Sequence, residues 1–147
     1  MKVEYFDYSK MYKIDNPVYS KALESVLKRS DFILRGDLEE FEKALAAKFS
    51  AKYCIGVANG TDAIWLSLIV AGIKQGDEVI LPSHTYVATA DAVHLIGASP
   101  VLVDCDDDHL VSVQGIEDAI TSRTTAIIAV NLNGRAANLP KLSLIHI

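Results

Sequence analysis

The sequence has few cysteines, no long apolar run and no basic cluster, and each of these absences excludes a class of protein. Its two cysteines, Cys54 and Cys105, lie in separate short apolar runs and have no partner at metal-ligand spacing. We interpret both as thiols buried in strands, in a protein from a reducing compartment, rather than as a redox pair.

Membrane and nucleic-acid functions are not expected from this composition. The longest apolar stretch, residues 63–73, is interrupted by Ser67 and is far shorter than the roughly 20 residues that cross a bilayer. The N-terminus mixes charged and aromatic residues and has no apolar segment typical of an export signal. With 14 basic against 19 acidic residues the formal net charge is -5, and no basic run could follow a phosphate backbone. We therefore predict a cytoplasmic protein that binds neither membrane nor nucleic acid.

The first part of the chain has two segments with helical spacing. Residues 17–28 place apolar side chains at intervals of three and four, which predicts a surface helix that starts at Pro17. A second helix is predicted after Gly36, with Asp37 as the N-cap and Glu40 three residues later. Residues before Asn16 show no clear period.

From Tyr53 onward, short runs rich in Val and Ile alternate with helical stretches. The predicted strands are residues 53–58, 78–81, 100–103 and 125–132, and the predicted helices between them are residues 62–71, 87–96 and 115–120. Because parallel neighbours need a crossover connection, this order predicts an α/β fold: a three-layer, mainly parallel sheet with helices on both faces. Residues 142–147 follow no turn or helix pattern, and we interpret them as a truncation scar.

Ligands of such sheets bind beyond the carboxyl ends of the strands, which directs attention to residues 59–62, 83–86 and 131–134. In the first of these turns the free N–H groups of a helix start would face the crevice, and the dipole would favour an anion there. Gly60 would let a phosphate approach the backbone, and the Thr61 hydroxyl would add a donor. A plain glycine turn, with Thr61 or Asp62 capping the helix, is the alternative.

Tyr86 follows the next strand, where its ring could present a flat face to an aromatic ligand. The alternative is a tyrosine packed at a helix start with its hydroxyl in water. His84 and Thr85 beside it are compatible with binding a ligand or with holding the turn, and spacing does not decide between these.

Other motifs favour structural interpretations. The cluster Asp104, Asp106, Asp107, Asp108 and His109 lacks the glycine and distal glutamate of a calcium loop, so we expect Asx-type turns and no metal site. His94 lies in a helical pattern and is not interpreted as a ligand. The sequence has neither a glycine-triplet fingerprint after a strand nor a Walker lysine, which disfavours dinucleotides and nucleoside triphosphates.

In their order and spacing, these segments resemble the DegT/DnrJ/EryC1/StrS family of sugar aminotransferases, which are fold-type-I pyridoxal-phosphate enzymes. The resemblance runs from about Phe32 to Leu139. The stretches that carry it are GDLEEFEKALAAKF from Gly36, VANGTDAIWLSL from Val57, AGIKQGDEVILPSHTYVATADAV from Ala71, GASPVLVDCDDD from Gly97 and AITSRTTAIIAVNLNGRAANL from Ala119.

The resemblance implies both a cofactor and a reaction. Gly60, Thr61 and Asp62 match the family residues that hold the cofactor phosphate, and Tyr86 matches the aromatic residue that stacks on the pyridine ring. The implied cofactor is pyridoxal 5'-phosphate, which becomes pyridoxamine 5'-phosphate during turnover. An amino group would pass from a donor, usually glutamate, to a nucleotide-linked keto-sugar, and the intact protein is expected to be a homodimer.

The resemblance also implies what this chain lacks. The lysine that binds the cofactor and the aspartate that pairs with the pyridinium are expected beyond residue 147, so no catalytic residue is assigned and the chain alone is expected to be inactive. We predict an N-terminal helical segment at 1–35, part of the cofactor-binding domain at 36–140 and a tail outside the family at 141–147.

Three alternatives remain open on the sequence: a sugar dehydratase of the same fold, an inactive regulator, and a fragment without function. The chain also departs from the family pattern at three positions. Asn131 and Asn133 stand where His and Tyr are frequent, and Asp91 stands where Asn is frequent. These departures leave the choice of sugar open.

Overall fold

The computed structural model describes residue 5 and residues 7–145 of the 147-residue chain. The chain divides into two compact units, Met1–Gly56 and Val57–Ile147. In chain order the elements are α1 (Tyr8–Arg29), α2 (Gly36–Lys48), α3 (Gly60–Val70), β1 (Glu78–Pro82), α4 (Ala88–Leu95), β2 (Ser99–Val103), α5 (Val113–Ala119), β3 (Thr124–Ile127), a 3-10 turn (Leu132–Gly134) and α6 (Leu139–Ile145). No helix among the described residues is both long enough and apolar enough to cross a bilayer.

The first helix starts earlier than the sequence pattern predicts. Asp7 is its N-cap and accepts the amide N–H of Lys10 at 3.0 Å, so the predicted start at Pro17 is wrong and that proline lies inside α1. None of the residues of α1 is buried. The first turns of α1 lack the apolar spacing of residues 17–28, and the Asp7 N-cap is the signal that could have located the start of the helix.

The second helix also differs in how it begins. Its N-cap is Arg35, which makes no side-chain capping bond, and Asp37 lies inside α2. The Asp37 carboxylate instead accepts a hydrogen bond from Nη2 of Arg29, at 2.5 Å, in an ion pair of two half-exposed side chains. The predicted capping role of Asp37 is therefore wrong.

The predicted strand at 53–58 is not formed in the described part of the chain. The side chains of Tyr53 and Ile55 are exposed, and the amide of Gly56 donates at 2.6 Å to Oε1 of Glu42 in place of a ladder bond. A Val- and Ile-rich run favours an extended backbone, but a strand also needs a neighbour, and β1, β2 and β3 come from residues 78–127. Cys54 is consequently only partly buried, contrary to prediction.

The sheet of the second unit has the order β2-β1-β3 with both pairings parallel. β1 and β2 correspond to the predicted strands to within one residue at each end. β3 is shorter than the predicted 125–132: after Ile127 only the amide of Ile128 still donates to the sheet, at 2.8 Å to the carbonyl of Ile80. Beyond the end of β1, the amide of Ser83 donates at 2.8 Å to the carbonyl of Val103, on the side of β1 opposite to β3.

Helices cover both faces of this sheet, which confirms the predicted α/β class. On one face Val79 and Leu81 of β1 pack in a cluster with Leu68 of α3 and Val93 of α4. On the other, Ile80 of β1 packs in a cluster with residues of α5 and α6. Successive strand residues point to opposite faces, so one fully buried strand supports both layers.

The C-terminal segment is more ordered than its sequence suggests. Leu139–Ile145 forms α6, and the Leu142 side chain is buried in the cluster around Ile80. The prediction that residues 142–147 follow no helix pattern is therefore wrong for residues 142–145. His146 and Ile147 lie outside the described residues. Cys105, predicted to be buried, is partly buried and pairs with Val111 in an isolated antiparallel bridge.

Candidate functional site

A crevice of about 400 Å³ opens at the carboxyl edge of the sheet, where all three predicted turns meet. Ligand pockets in proteins commonly measure about 300 to 1,000 Å³. The lining residues are Gly60, Thr61, Ile64, Thr85, Tyr86, Ala88, Thr89, Val130, Asn131, Leu132 and Asn133. The strand-end rule thus located the crevice correctly from the sequence.

The topology explains the position of this crevice. The connection from β1 leads to β2 on one side, whereas β3 lies on the other side of β1. The connections that leave the carboxyl ends of β1 and β3 therefore diverge, and a space opens between them. One wall follows β1 at residues 83–86, the second follows β3 at residues 130–133, and the start of α3 closes the space.

The N-terminus of α3 is capped by Asn59, so the alternative in which Thr61 or Asp62 caps this helix is wrong. Oδ1 of Asn59 accepts the amide N–H of Asp62 at 2.9 Å, and its carbonyl accepts the amide N–H of Ala63 at 3.1 Å. The amides of Gly60 and Thr61 have no hydrogen-bond partner among the described residues. Two free N–H groups at the positive end of an 11-residue helix are donors of the kind that anions accept in other proteins. The preference of asparagine for N-caps, together with the following glycine, is the signal that could have identified Asn59.

Gly60 is required neither by backbone conformation nor by packing within the protein. Its φ is not positive, and a Cβ added there would meet no atom within 4 Å. The absence of a side chain thus matters only to whatever approaches the crevice from outside. This observation fits a ligand that rests directly on the backbone at the start of α3.

Unlike Gly60 and Thr61, which line the crevice, Asp62 makes its side-chain contacts within α3 and its cap. Oδ1 of its carboxylate accepts the indole N–H of Trp65 at 2.9 Å, and Oδ2 accepts from Nδ2 of Asn59 at 3.2 Å. Asp62 is not among the residues that line the crevice. Of the four predicted cofactor contacts, the structure brings Gly60, Thr61 and Tyr86 together around one cavity and leaves the Asp62 side chain outside it.

Tyr86 lies at the opposite wall, just before α4. Its side chain is 77% exposed, so the protein does not bury the ring, and its carbonyl accepts the amide N–H of Thr89 at 3.0 Å. Next to it the hydroxyl groups of Thr85 and Thr89 lie 3.0 Å apart in a hydrogen bond. The ring is thus free to lie against a ligand, while the turn that carries it is held by the backbone and by the threonine pair.

The second wall, after β3, contains the two asparagines that depart from the family pattern. Oδ1 of Asn131 accepts the amide N–H of the buried Ala137 at 2.9 Å, which ties this wall to the chain that enters α6. Asn133 has a φ of 53°, in the left-handed region that asparagine adopts more readily than other residues with a side chain. Both residues line the crevice.

The remaining predicted polar residues lie outside the crevice. The ring of His84 makes an edge-to-face contact with His109, with centroids 5.8 Å apart. Oδ1 of Asp108 accepts the amide N–H of Leu110 at 2.9 Å, which is the predicted Asx-type turn, and the Asp108 carbonyl accepts from Nη1 of Arg135 at 2.8 Å. No group of three potential metal ligands occurs among the residues that the structure describes.

Among the described residues, one carboxyl group has a clearly shifted pKa, and it lies at the opposite edge of the sheet. Glu78 begins β1, at the amino end of the sheet, and is buried. The Thr121 hydroxyl and then the Arg123 guanidinium, whose Nε donates to Oε1 at 2.9 Å, lower the pKa of Glu78 below 4.5 although burial opposes them. This cluster joins the segment before β3 to the start of β1.

The model of the DegT/DnrJ/EryC1/StrS aminotransferase family matches residues 15–146. A dTDP-3-amino-3,6-dideoxy-alpha-D-galactopyranose transaminase of Aneurinibacillus thermoaerophilus is 44% identical over 126 residues, which cover 85% of this chain and 35% of that protein. The chain thus spans about a third of the length of this relative.

Two solved structures are also similar. DesV of S. venezuelae has a TM-score of 0.91 and 37% identity, and the match covers 98% of this chain and 39% of that one. NtdA of Bacillus subtilis, solved with bound cofactor PMP, has a TM-score of 0.82 and 35% identity. This match covers 85% of this chain and 29% of NtdA.

Proposed function

The chain belongs to the DegT/DnrJ/EryC1/StrS aminotransferase family, and on this premise we propose that it supplies the cofactor-binding crevice of an enzyme that transfers an amino group from a donor such as glutamate to a nucleotide-linked keto-sugar. The proposed cofactor is pyridoxal 5'-phosphate. The observation that carries the proposal is the meeting of two unpartnered amides, at Gly60 and Thr61, with the exposed ring of Tyr86 around one cavity.

The residues of the crevice fit the two ends of this cofactor. A phosphate suits the free N–H groups and the hydroxyl at the start of α3, where the helix dipole adds a favourable field. A pyridine ring suits the space between the ring of Tyr86 and the apolar side chains of Ile64 and Val130. The bare backbone at Gly60 leaves room for the phosphate to approach.

When bound, pyridoxal phosphate supplies the electron sink that amino-group transfer needs. The residues of this chain bind and orient it: Gly60 and Thr61 hold the phosphate, and Tyr86 fixes the plane of the ring. Of the four predicted contacts, Asp62 is assigned an indirect role, because its carboxylate is engaged by Trp65 and Asn59. No lysine of this chain is assigned to the covalent bond with the cofactor.

The substrate class, assembly and location are parts of the same proposal. The name of the Aneurinibacillus relative supports a nucleotide-linked amino sugar as the product, and the PMP bound to NtdA supports the cofactor. We further propose a homodimer for the intact enzyme. Both cysteines are free thiols, which fits a reducing compartment, so we place the enzyme in the cytoplasm.

Equilibrium dialysis of the purified protein against pyridoxal phosphate tests the proposal. The unmodified protein should bind it, and pyridoxal, which lacks the phosphate, should bind much more weakly. Gly60→Ala should weaken binding by about tenfold, or about 1.4 kcal/mol, because a methyl group would crowd the phosphate. The urea midpoint of this variant should be equal or slightly raised, since nothing in the protein opposes the methyl group.

Gly36→Ala is a matched control because Gly36 also begins a helix and also lacks a positive φ. It should leave the affinity for pyridoxal phosphate unchanged. Absence of binding by the unmodified protein, or equal affinity in the Gly60→Ala variant, would contradict the proposal.

A further inference from the structure

An acidic side chain at the start of α3 presents a problem for any anion site there. Asp62 is the third residue of the helix, and its charge stabilises the positive end of the helix dipole. The same charge opposes a phosphate at the neighbouring amides of Gly60 and Thr61. A free carboxylate at this position could also fold back onto those two N–H groups and occupy them, as carboxylates at helix starts do.

The contacts of Asp62 resolve this problem. Both oxygens of the carboxylate have a donor, the indole N–H of Trp65 at 2.9 Å and the side-chain amide of Asn59 at 3.2 Å. Trp65 is partly buried one turn further along the helix, so its indole draws the carboxylate along the side of α3 rather than over its end.

The lining of the crevice supports this geometry independently. Thr61 and Ile64, three residues apart, both line it, whereas Asp62 and Trp65, also three residues apart, do not. Each residue of a helix is turned by about 100° from the one before it, so the second pair occupies the adjoining face. The negative charge and the unpartnered amides therefore lie on different sides of the same helix turn.

We propose that Trp65 is a positioning residue whose indole, together with Asn59, holds the Asp62 carboxylate away from the crevice and so keeps the start of α3 open to a phosphate. This inference rests on the proposed function for the identity of the anion. It gives the indole a role in ligand affinity although Trp65 does not touch the crevice.

A double-mutant cycle tests the proposal, with affinity for pyridoxal phosphate measured by equilibrium dialysis and folding checked by circular dichroism. Trp65→Phe keeps an aromatic ring but removes the N–H, and it should weaken binding by about tenfold because the freed carboxylate competes for the helix amides. The double variant Trp65→Phe/Asp62→Asn, which removes the charge as well, should bind within about threefold of the unmodified protein. Affinity for pyridoxal should change in neither variant, because that ligand carries no phosphate.

Ser67→Ala is the control, since it removes a hydrogen bond to the Ala63 carbonyl on an exposed part of the same helix and should leave affinity unchanged. Equal affinity in the Trp65→Phe variant, or a loss that persists in the double variant, would overturn the inference while leaving the proposed function intact. Failure of the unmodified protein to bind pyridoxal phosphate would overturn both.

The affinity of the Asp62→Asn variant for pyridoxal phosphate is a second test, which does not depend on the folding of the Trp65→Phe variant. Because the carboxylate is already turned aside, removal of its charge should tighten binding by no more than about threefold. A tightening of about tenfold or more would show that the carboxylate opposes the ligand in the unmodified protein, and it would overturn the inference.

Discussion

Oδ1 of Asn59 accepts the amide N–H of Asp62 at 2.9 Å, and this bond fixes the residue at which α3 begins. Asn59→Ala removes the cap and should lower the free energy of unfolding by about 1 kcal/mol. It should also weaken binding of pyridoxal phosphate, because the first turn that carries the free amides would fray. Urea unfolding and equilibrium dialysis measure the two effects.

Asn59→Asp separates the two roles of this residue. Aspartate caps helices as well as asparagine does, so stability should be retained within about 0.5 kcal/mol. Its charge beside the phosphate, and its loss of the donor to Asp62, should nevertheless weaken binding. Equal affinity in the Asn59→Asp variant would contradict a phosphate at this helix start.

Tyr86 should contribute to binding and not to stability. Its ring is exposed in the protein alone, so Tyr86→Ala should leave the urea midpoint unchanged. Loss of the stacking contact should weaken binding of pyridoxal phosphate by about 1 kcal/mol, whereas Tyr86→Phe should retain most of the affinity. If both variants lost the same affinity, the contact would come from the hydroxyl rather than from the face of the ring.

The Asn131 side chain should stabilise the second wall of the crevice, after β3. Asn131→Ala leaves the amide N–H of Ala137, a buried residue, without its acceptor and should lower the free energy of unfolding by about 1 to 3 kcal/mol. Asn131→Asp keeps an acceptor oxygen and should cost much less. A similar loss in both variants, measured by urea unfolding, would show that the hydrogen bond to Ala137 is not the cause.

Glu78 should make stability depend on pH in the acid range. Its pKa is lower in the folded protein than the ordinary value of 4.5, first because of the Thr121 hydroxyl and then because of Arg123. The unfolded chain therefore takes up a proton first as the pH falls, so the stabilisation is present above about pH 4.5 and is lost as the pH falls through the lower folded value. Urea unfolding from pH 7 downward should show a shallower pH dependence for Glu78→Gln.

Glu117→Gln is the control for this measurement, because Glu117 is exposed on α5. Its pH dependence should follow that of the unmodified protein. An unchanged profile in the Glu78→Gln variant would mean that other carboxyl groups produce the acid sensitivity.

The alternation of strands and helices after α3 could be predicted from the sequence. A central strand covered on both faces, such as β1, is a continuous apolar run, and such a run differs clearly from the polar connections on either side of it. The position of the crevice could be predicted for a topological reason, since parallel strands bring their carboxyl ends to one edge. These two inferences made Thr61 and Tyr86 candidates, and the resemblance to the family implied their roles in binding the cofactor.

Two other features depend on interactions that no local pattern reveals. Residues 53–58 have the composition of a strand, but pairing requires a neighbour, and the Glu42 carboxylate binds the Gly56 amide instead. The direction of the Asp62 carboxylate is set by the indole N–H of Trp65. Spacing shows that the two residues are one helix turn apart, but it does not show whether their side chains meet.

Strand β1 is buried along its whole length and is bonded to a strand on each side. Its amide protons at Val79, Ile80 and Leu81 should therefore exchange with deuterium only when the sheet comes apart, and they should be among the slowest in the molecule. Tyr86 follows this strand after a short turn. The aromatic wall of the crevice is thus attached to a segment whose amides should persist through local openings, so the anchor of Tyr86 should stay in place while looser parts of the chain exchange.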